Sequence, residues 1–401
     1  MNKIDGKLCS SGRALDLCKP LPEFFMIVGI PKEIKNHEYR IGMTPAGVRE
    51  LVNRGHQVLV ETEGGVGVGF DNASYEAVGA QIVASPADIF AAADMIIKVK
   101  EPQPNECRML RSGQILFTYL HLAPDPEQAQ LLLDSGVSAI AYETVTNAKG
   151  GLPLLAPMSE VAGRMSIQAG AHHLEKAQGG NGMLLGGVPG VEPARVVVLG
   201  GGVVGTQAAK MAAGLGAQVT IFDRSIERLQ QLDDLFQGRA VGLYSTQNAV
   251  EQYVRAADLV IGAVLIPGAS APKLVTRDDV AAMRPGAVLV DVAIDQGGCF
   301  ETSQATTHQS PTYVVDDVVH YCVANMPGGV ARTATMALTN ATLPFALRLA
   351  DHGLAALQEN SHLRQGLNVH AGHVTHEAVA KALQLDYVPA ENALNPLMLS
   401  A

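Results

Sequence analysis

One short segment constrains the fold of this 401-residue chain more than any other. The run Arg195–Gly205 (RVVVLGGGVVG) places a β-branched strand directly before a G-x-G-x-x-G pattern at Gly200, Gly202 and Gly205. In such a unit the first glycine allows a tight turn, the second lets backbone approach a pyrophosphate, and the third lets helix and strand pack closely. The helix that follows offers free N–H groups to phosphate oxygens. The segment therefore predicts a dinucleotide-binding βαβ unit.

A carboxylate follows these glycines at the distance that dinucleotide sites use. Asp223 stands at the end of the next predicted strand, Gln218–Phe222, about 20 residues further on. A carboxylate at this point accepts hydrogen bonds from the ribose hydroxyls of NAD and repels the 2′-phosphate of NADP. The adjacent Arg224 would favour NADP, but Asp223 argues against it. We predict NAD as the cofactor.

Short β-rich runs alternate with helical runs along both halves of the chain. This alternation is typical of βαβ units and mainly parallel sheets. We therefore predict an α/β fold with two Rossmann-like, doubly wound domains, the first discontinuous, joined by long helices with the active site in the cleft. The predicted boundaries are 1–25 for a disordered extension, 26–153 with 332–401 for a substrate (catalytic) domain, and 154–331 for an NAD-binding Rossmann domain.

Local patterns predict the individual elements. Thr44 caps a first helix with Pro45 at its first position. A long helix is expected over Ser159–Gln178, a glycine-rich loop over Gly179–Gly190, and helices through the C-terminal tail. The predicted strands are Ile27–Ile30, His56–Glu61, Met95–Lys100, Ile115–Leu120, Ser138–Tyr142, Arg195–Leu199, Gln218–Phe222, Leu259–Val264, Ala287–Val292, Tyr313–Val315 and Tyr321–Val323.

Composition and charge exclude several classes of function. The net charge is −10 and no Lys/Arg-rich run is present, which argues against a nucleic-acid partner. The longest charge-free apolar stretches, such as Leu259–Pro272, are shorter than the ~20 residues that span a bilayer, so we expect no membrane insertion. The five cysteines form no CxxC motif, and the first 25 residues lack a signal-peptide core. These features indicate a reducing, cytoplasmic location.

The first half offers four polar candidates near or after the ends of predicted strands, where α/β folds place their ligands. Arg40 lies in the loop after the first strand, and a guanidinium fork suits a substrate carboxylate. Lys98 and Lys100 share one face of their strand by its period of two, so at least one should meet a partner. His121 follows the strand Ile115–Leu120. The alternatives are a solvated arginine, lysines that reach water, and a structural histidine.

Two aspartates compete for a role in the second half. Asp291 lies within a predicted strand, whereas Asp295 follows it and precedes Gly297 and Gly298. We favour Asp295 because it lies past the strand end, where the glycines permit close approach of a ligand. The alternative is an aspartate that bonds its own turn backbone.

A histidine cluster near the C-terminus has spacing that resembles a metal site, at His370, His373, His376 and Glu377. Thr375 is interpreted instead as a helix N-cap, and the preceding Asn-Val-His-Ala-Gly as a loop. No companion Cys or Asp set accompanies the cluster, so we predict no metal.

Together, long motifs from Met26 to the C-terminus resemble those of the alanine dehydrogenase family, which includes the NAD-binding subunit of proton-pumping transhydrogenase. The motifs that carry the resemblance are VGIPKEIKNHEYRIGMTPAGV, IIKVKEP, LFTYLHLA, AYETV, LPLLAPMSEVAGRMS, GGVPGVEPA, the glycine fingerprint, ADLVIGAVLIPGA, GAVLVDVAIDQGGCFE and YCVANMPGGVARTAT. The transhydrogenase subunit lacks the second Lys of KVK and the His of YLHLA, both present here as Lys100 and His121. The dehydrogenase branch is therefore favoured, and a non-catalytic or transhydrogenase-like NAD(H)-binding module is the alternative.

The resemblance implies NAD-dependent oxidative deamination of L-alanine to pyruvate and ammonium, and the reverse reaction, by a homo-hexamer. It implies that Arg40 and Lys100 hold the substrate, that His121 is the general acid/base, and that Asp295 assists. The residues it assigns to NAD are Ser159, Gly200, Gly202, Val203, Gly205, Asp223, Arg228, Ser245, Val264, Leu265, Val292, Ala293, Ile294, Asp295, Val323, Ala324, Asn325 and Met326.

Overall fold

Strands that alternate with helices along the chain assemble into two separate sheets. The fold is given by a computed structural model, which describes residues 25–264 and 271–395. The strands are β1 (Ile27–Ile30), β2 (Gln57–Glu61), β3 (Gln81–Val83), β4 (Met95–Ile97), β5 (Ile115–Thr118), β6 (Ser138–Ala141), β7 (Arg195–Leu199), β8 (Gln218–Asp223), β9 (Val241–Tyr244), β10 (Leu259–Gly262), β11 (Val288–Asp291), β12 (Thr312–Val315), β13 (Val318–Tyr321), β14 (Leu367–His370) and β15 (His373–Val374).

Helices fill the connections between the strands. The first begins as predicted, because Thr44 accepts a hydrogen bond from the Gly47 N–H and Pro45 opens the helix. The helices are α1 (Pro45–Asn53), α2 (Asn72–Glu76), α3 (Pro86–Ala92), α4 (Pro104–Cys107), α5 (Pro126–Ser135), α6 (Ala156–His173), α7 (Val203–Gly214), α8 (Ile226–Phe236), α9 (Gln247–Ala256), α10 (Arg277–Ala281), α11 (Ala331–His352), α12 (Ala355–Glu359), α13 (Ser361–Arg364), α14 (Glu377–Leu383) and α15 (Ala390–Ala393).

The first sheet has the strand order β15-β14-β6-β5-β4-β1-β2-β3. Strands β1 to β6 pair in parallel, whereas β14 and β15 join antiparallel at the β6 edge. The order reverses between β1 and β4, so the loops that leave these two strands diverge and open a crevice at their carboxyl ends. The residues that follow β1, β4, β5 and β6 therefore meet at one edge of the sheet.

The second sheet has the order β12-β13-β11-β10-β7-β8-β9, and every pair except β12–β13 is parallel. Its order reverses at β7, the strand that precedes the glycine fingerprint. Each sheet is sandwiched between apolar layers on both faces, as in other doubly wound sheets. The predicted α/β class with two Rossmann-like units is confirmed.

Two long helices lie between the sheets. Helix α6 packs along α7 at Gly163, where a Cβ atom would lie 2.3 Å from the Val204 carbonyl oxygen, so only glycine permits this approach. Helix α11 packs against both α6 and α1. None of the helices in the described parts of the chain is both long and apolar enough to cross a membrane.

The C-terminal tail differs from the helical prediction. Asn368–His370, interpreted as the start of a loop, belongs to β14, which pairs with β6 and with the short strand β15. Thr375 was predicted to cap a helix, but its hydroxyl donates to the Leu367 carbonyl and the N-terminal residue that precedes α14 is His376. The prediction is wrong because edge pairing with β6 is a long-range interaction that local patterns do not encode.

Three other predicted elements differ by three residues or more at a boundary. The strand predicted over Met95–Lys100 ends at Ile97, and the long helix covers Ala156–His173 rather than Ser159–Gln178. The strand predicted over Tyr321–Val323 is Val318–Tyr321. Nearly all of the predicted extension, residues 1–25, lies outside the described residues, as does Leu265.

Candidate active site

The glycine fingerprint forms the turn from β7 into α7, and its three glycines have different surroundings. Gly200 has a φ of 100°, and a Cβ there would lie 2.7 Å from the Ala263 carbonyl oxygen. A Cβ on Gly205 would lie 1.8 Å from the Gly200 carbonyl oxygen. A Cβ on Gly202 would have no non-neighbouring atom of the described residues within 4 Å, and no side chain among those residues caps the helix that follows it. The exposed N–H groups of this helix end therefore face open space of the kind that a pyrophosphate needs.

Two side chains hold the peptide groups of Gly201 from opposite sides. Asp223 Oδ2 accepts the Gly201 N–H at 2.8 Å, and Arg228 Nε donates to the Gly201 carbonyl at 2.7 Å. The other Asp223 oxygen accepts the Ser225 N–H at 2.8 Å. Each carboxylate oxygen retains a further lone pair for a ribose hydroxyl. Arg228, predicted to contact NAD, folds onto the glycine loop instead of pointing into the adjoining cavity.

A cavity of about 620 Å³ opens beside this loop, at the carboxyl ends of β7, β8 and β10. Seven of the residues assigned to NAD line it: Ser159, Gly200, Gly202, Val203, Asp223, Ser245 and Val264. The assigned residues that do not line it are Gly205, Arg228, Val292, Ala293, Ile294, Asp295, Val323, Ala324, Asn325 and Met326. The side chains of Val323 and Met326 are buried in the core of the second sheet.

Part of the cavity wall was not predicted. Residues 150–153, Leu155 and Ala156 line one side, on the segment that leads from the first sheet into α6, and Pro272 and Leu274 line another. The sequence signal for most of the first group is its place inside the motif LPLLAPMSEVAGRMS, which begins at Leu152. The cavity therefore lies between residues of both halves of the chain, and its donors and open loop fit a dinucleotide.

Arg40 is buried at the crevice of the first sheet. Its Nε and Nη2 donate to the two carboxylate oxygens of Glu38 at 2.7 and 2.5 Å, and Nη2 also donates to Asn325 Oδ1 at 2.6 Å. Burial opposes ionisation of Glu38, but the hydrogen bonds and charge of Arg40 outweigh it and lower the pKa of Glu38 to about 2. Among the residues that the structure describes, the remaining nitrogen, Nη1, donates only to the weak acceptor Met158 Sδ at 3.2 Å, and is the one free to bind a carboxylate.

The two lysines after β4 have separate environments, contrary to the shared face predicted from strand periodicity. Lys98 is fully buried, and its Nζ binds Glu33 at 3.0 Å and Glu106 at 2.8 Å. Lys100 remains partly exposed, with Nζ 3.4 Å from Glu101. Because the strand ends at Ile97, the period of two does not extend to these residues.

The backbone of Lys100 is nevertheless held firmly. Glu33 Oε1 accepts the N–H groups of Val99 and Lys100 at 2.6 and 3.3 Å, and Thr118 donates to the Lys100 carbonyl at 2.9 Å. The buried Lys98 balances the charge of Glu33 on its other oxygen. These hydrogen bonds fix the backbone of Lys100, while its side-chain ammonium group remains partly accessible.

His121 adopts the left-handed backbone conformation, with a φ of 49°. Its N–H donates to Glu143 Oε1 at 2.7 Å, which holds the residue in this unusual conformation. The imidazole is exposed and stacks on Tyr119 with ring centroids 5.8 Å apart. Burial raises the pKa of Tyr119, and its hydroxyl donates to the Leu154 carbonyl. The neutral Tyr119 ring therefore packs against the His121 imidazole. The backbone of His121 is therefore held in place, while its imidazole is exposed to solvent.

The two aspartates of the second half have different roles. Asp291 is completely buried and accepts hydrogen bonds from the Cys299 N–H at 2.7 Å and the Ser303 hydroxyl at 2.5 Å. Burial raises the pKa of this carboxyl. Asp295 is exposed in the 3₁₀ turn Val292–Gln296 that follows β11, whereas Ile294 of the same turn is buried. Asp291 thus builds the turn, and Asp295 is the carboxylate available to a ligand.

The tertiary structure brings Arg40 and Asn325 into direct contact, whereas Lys100 and Asp295 form no hydrogen bond with either of them. Glu38, Tyr119 and Glu143 support the predicted residues and were missed. Their only signal is that they lie in the motifs HEYR, TYLH and AYETV.

The histidine cluster of the tail is spread over β14, β15 and the start of α14. His370 Nδ1 lies 2.8 Å from the Ser138 hydroxyl oxygen. Within residues 25–264 and 271–395, no group of three or more His, Cys, Asp or Glu side chains is placed to hold a metal ion.

Comparison with known proteins shows which families and solved structures this chain is similar to. Residues 29–162 match the family description "Alanine dehydrogenase/PNT, N-terminal domain", and residues 166–377 match its C-terminal domain. An alanine dehydrogenase from Halomonas elongata is 62% identical over 370 residues, which cover 92% of this chain and 100% of that protein. A solved L-alanine dehydrogenase is 54% identical, with a TM-score of 0.87 over 90% of this chain and 99% of that one. A transhydrogenase structure from Sinorhizobium meliloti is more distant, at 26% identity and a TM-score of 0.75 over 88% of this chain and 99% of that one.

Proposed function

This chain belongs to the alanine dehydrogenase/PNT family, and we propose that it oxidises L-alanine with NAD and water to yield pyruvate, ammonium, NADH and a proton. The observation that carries the proposal is 62% identity to an alanine dehydrogenase along that protein's entire length. Lys100 and His121 support the same conclusion, because the family resemblance implies that the transhydrogenase branch lacks both residues. The transhydrogenase-like alternative has only the distant match at 26% identity.

Substrate binding is assigned to the edge of the first sheet. Nη1 of Arg40 would bind the alanine carboxylate, since Glu38 and Asn325 already occupy the other two nitrogens. Because the guanidinium is held by these partners before substrate arrives, little orientational freedom is lost on binding. The Lys100 ammonium would stabilise negative charge that develops on the substrate oxygen.

Proton transfer is assigned to His121. When bound, NAD supplies the acceptor for the hydride that leaves the alanine α-carbon, and the product of that loss is an imine. His121 then removes a proton from the water that attacks the imine carbon, and returns it as the carbinolamine releases ammonia. Its exposed, stacked ring and fixed backbone suit a group that must reach substrate and exchange protons. Asp295 would assist from the second half of the chain, across the cleft.

The cofactor preference is assigned to Asp223. Its carboxylate lines the cavity and holds the glycine loop, so the 2′-phosphate of NADP would meet a negative charge at the ribose position. Val203, Ser245, Val264 and Ser159 line the remaining wall. NAD is therefore the proposed cofactor.

We also propose the domain assignment 26–153 with 332–401 for substrate and 154–331 for NAD. The return of β14 and β15 to the first sheet supports the discontinuous first domain. A homo-hexamer and a cytoplasmic location remain proposals that follow from the family and from the cysteine pattern.

The test is an assay of NADH formation from L-alanine and NAD by the purified chain, with the reverse reaction followed from pyruvate, ammonium and NADH. We expect turnover in both directions. NADH binding without turnover in either direction would favour the non-catalytic module, and hydride exchange between two nucleotides only in the presence of a membrane partner would favour the transhydrogenase-like one.

A further inference from the structure

Lys273 makes an unusual set of contacts for an exposed lysine. Its Nζ donates to the carbonyl oxygens of Gly297, Gly298 and Phe300 at 2.5, 3.0 and 3.0 Å. An ammonium group has three N–H donors, so all of them are used on one short stretch of backbone. Hydrogen bonds from a charged donor are stronger than neutral ones, and three together oppose the mobility of a lysine side chain. This lysine is a structural clamp rather than a solvated charge.

The clamped stretch directly follows the turn that carries Asp295. Gly297 and Gly298 have φ values of 90° and 80°, two successive residues in the left-handed region. The Gly297 N–H donates to the Ile294 carbonyl at 2.9 Å and the Gly298 N–H to the Ala293 carbonyl at 3.1 Å, so these glycines close the turn. Glycine loses more conformational entropy on ordering than any other residue, and such a turn requires external support. The Lys273 ammonium provides it on the carbonyl side.

The segment that carries Lys273 also forms part of the dinucleotide cavity. The side chains of Pro272 and Leu274 line the cavity, while Lys273 between them reaches the glycine turn. The backbone of this segment runs beside the turn, with the Leu274 N–H donating to the Cys299 carbonyl at 2.7 Å. One short segment therefore contacts the cofactor cavity with two residues and the Asp295 turn with a third.

We propose that Lys273 is a positioning residue that fixes the Asp295 turn relative to the wall of the dinucleotide cavity. The role rests on the proposed function in one respect, the participation of Asp295 in the reaction. Within residues 25–264 and 271–395 the Lys273 ammonium donates only to backbone carbonyls, so it would act through Asp295. Removing it leaves the cavity wall in place but loosens the backbone turn that carries Asp295, and displacement of a reacting group by about 1 Å costs on the order of 100-fold in rate.

The experiment compares Lys273→Met, Lys273→Arg and the control Lys210→Met. Lys210 is exposed on α7, and forms no hydrogen bond or ion pair with any residue that the structure describes. We expect Lys273→Met to lower kcat about 10- to 100-fold while KM for alanine and Kd for NADH change less than about threefold. Lys273→Arg retains charge and donors and should recover most of the loss. A Lys273→Met enzyme with kcat within twofold of the parent, or one that loses only NADH affinity, would overturn the proposal.

Two further measurements separate positioning from general stability. Hydrogen–deuterium exchange should be faster over 292–300 in Lys273→Met and unchanged elsewhere, whereas global destabilisation would raise exchange throughout. In an Asp295→Asn background, Lys273→Met should have no further effect on kcat. An equal fold-loss in both backgrounds would show that Lys273 does not act through Asp295. If the parent chain forms no NADH from alanine, the proposed function fails, and unchanged exchange over 292–300 would then reject the clamp independently.

Discussion

The Nη2 atom of Arg40 donates a 2.6 Å hydrogen bond to Oδ1 of Asn325, and this bond joins the first sheet to the segment that follows β13 of the second. The Asn325 amide in turn donates to Glu38 at 2.9 Å. Asn325 has a φ of 67°, a conformation that asparagine tolerates better than most residues. The arginine proposed to bind substrate is therefore oriented by a residue from the other half of the chain.

Asn325→Gly tests this relationship. Glycine accepts the backbone conformation, so the change removes only the amide. We expect KM for alanine to rise about tenfold or more, because the amide's hydrogen bonds to two charged groups, Arg40 and Glu38, are both lost. Gln237→Gly, at another left-handed position on the surface, is the matched control. Steady-state kinetics that show unchanged KM in Asn325→Gly would contradict an orienting role.

His121→Asn tests the acid/base assignment. Asparagine keeps the left-handed conformation and the N–H bond to Glu143, so the scaffold should survive. We expect kcat to fall by about 10²- to 10⁴-fold, as for loss of a general acid/base, while NADH binding measured by fluorescence is retained. Turnover near that of the parent would remove His121 from the mechanism.

Asp223→Asn tests cofactor selection. The variant keeps an oxygen that can accept the Gly201 N–H, but loses the charge that repels a 2′-phosphate. We expect the preference for NADH over NADPH, measured as a ratio of Kd values, to shrink about tenfold or more. The exposed neighbour Arg224 lines the same cavity and supplies the cation for the added phosphate, so Arg224→Gln in the same background should reverse part of the gain. A constant ratio in both variants would assign selection to another residue.

The low pKa of Glu38, about 2, predicts how stability depends on pH. A carboxyl whose pKa is lower in the folded state than its ordinary value of 4.5 stabilises the fold fully above that value. The stabilisation is lost as pH falls from 4.5 toward 2. The stability advantage of the parent over Glu38→Gln, measured by urea unfolding at several pH values, should therefore shrink between pH ~5 and pH ~3. A difference that stays constant across this range would contradict the assignment.

The buried ion cluster of Lys98 with Glu33 and Glu106 predicts a strong stability effect. Lys98→Met leaves two carboxylates buried without their cation, at a cost of about 3–5 kcal/mol. The combination with Glu33→Gln and Glu106→Gln removes the unpaired charges and should recover much of the loss. Thermal unfolding of the single and triple variants distinguishes these cases, and a single variant as stable as the parent would refute the argument.

The second half of the chain was predictable because its signals are local. The turn at Gly200, the helix start at Gly202 and the carboxylate at Asp223 depend on backbone conformation and spacing over a few tens of residues. The purpose of the glycine-rich loop before β7 became clear only in the structure. A Cβ on Gly186 would lie 2.2 Å from the Leu215 carbonyl oxygen, so this loop packs closely against the end of α7.

The first half was predicted less completely because its site depends on contacts between distant residues. The separation of Lys98 from Lys100 follows from where β4 ends and from Glu33, which no periodicity reveals. The strand β14 depends on an open edge at β6. In both cases the local conformational preference of the sequence competes with pairing to distant residues. The outcome depends on which arrangement satisfies the hydrogen bonds of the buried backbone.

By itself the sequence determined the α/β class, the glycine loop with Asp223, and the place of Arg40, Lys100 and His121 in the segments near or after the carboxyl ends of strands of the first sheet. These features depend on periodicity, glycine conformation and chain order, which are properties of neighbouring residues. The tertiary structure alone decided which nitrogen of Arg40 is free, that Asn325 orients it, and that Lys273 clamps the turn of Asp295. Those outcomes depend on donors and acceptors brought together from far along the chain, and a hydrogen bond forms only where folding has set both its distance and its direction.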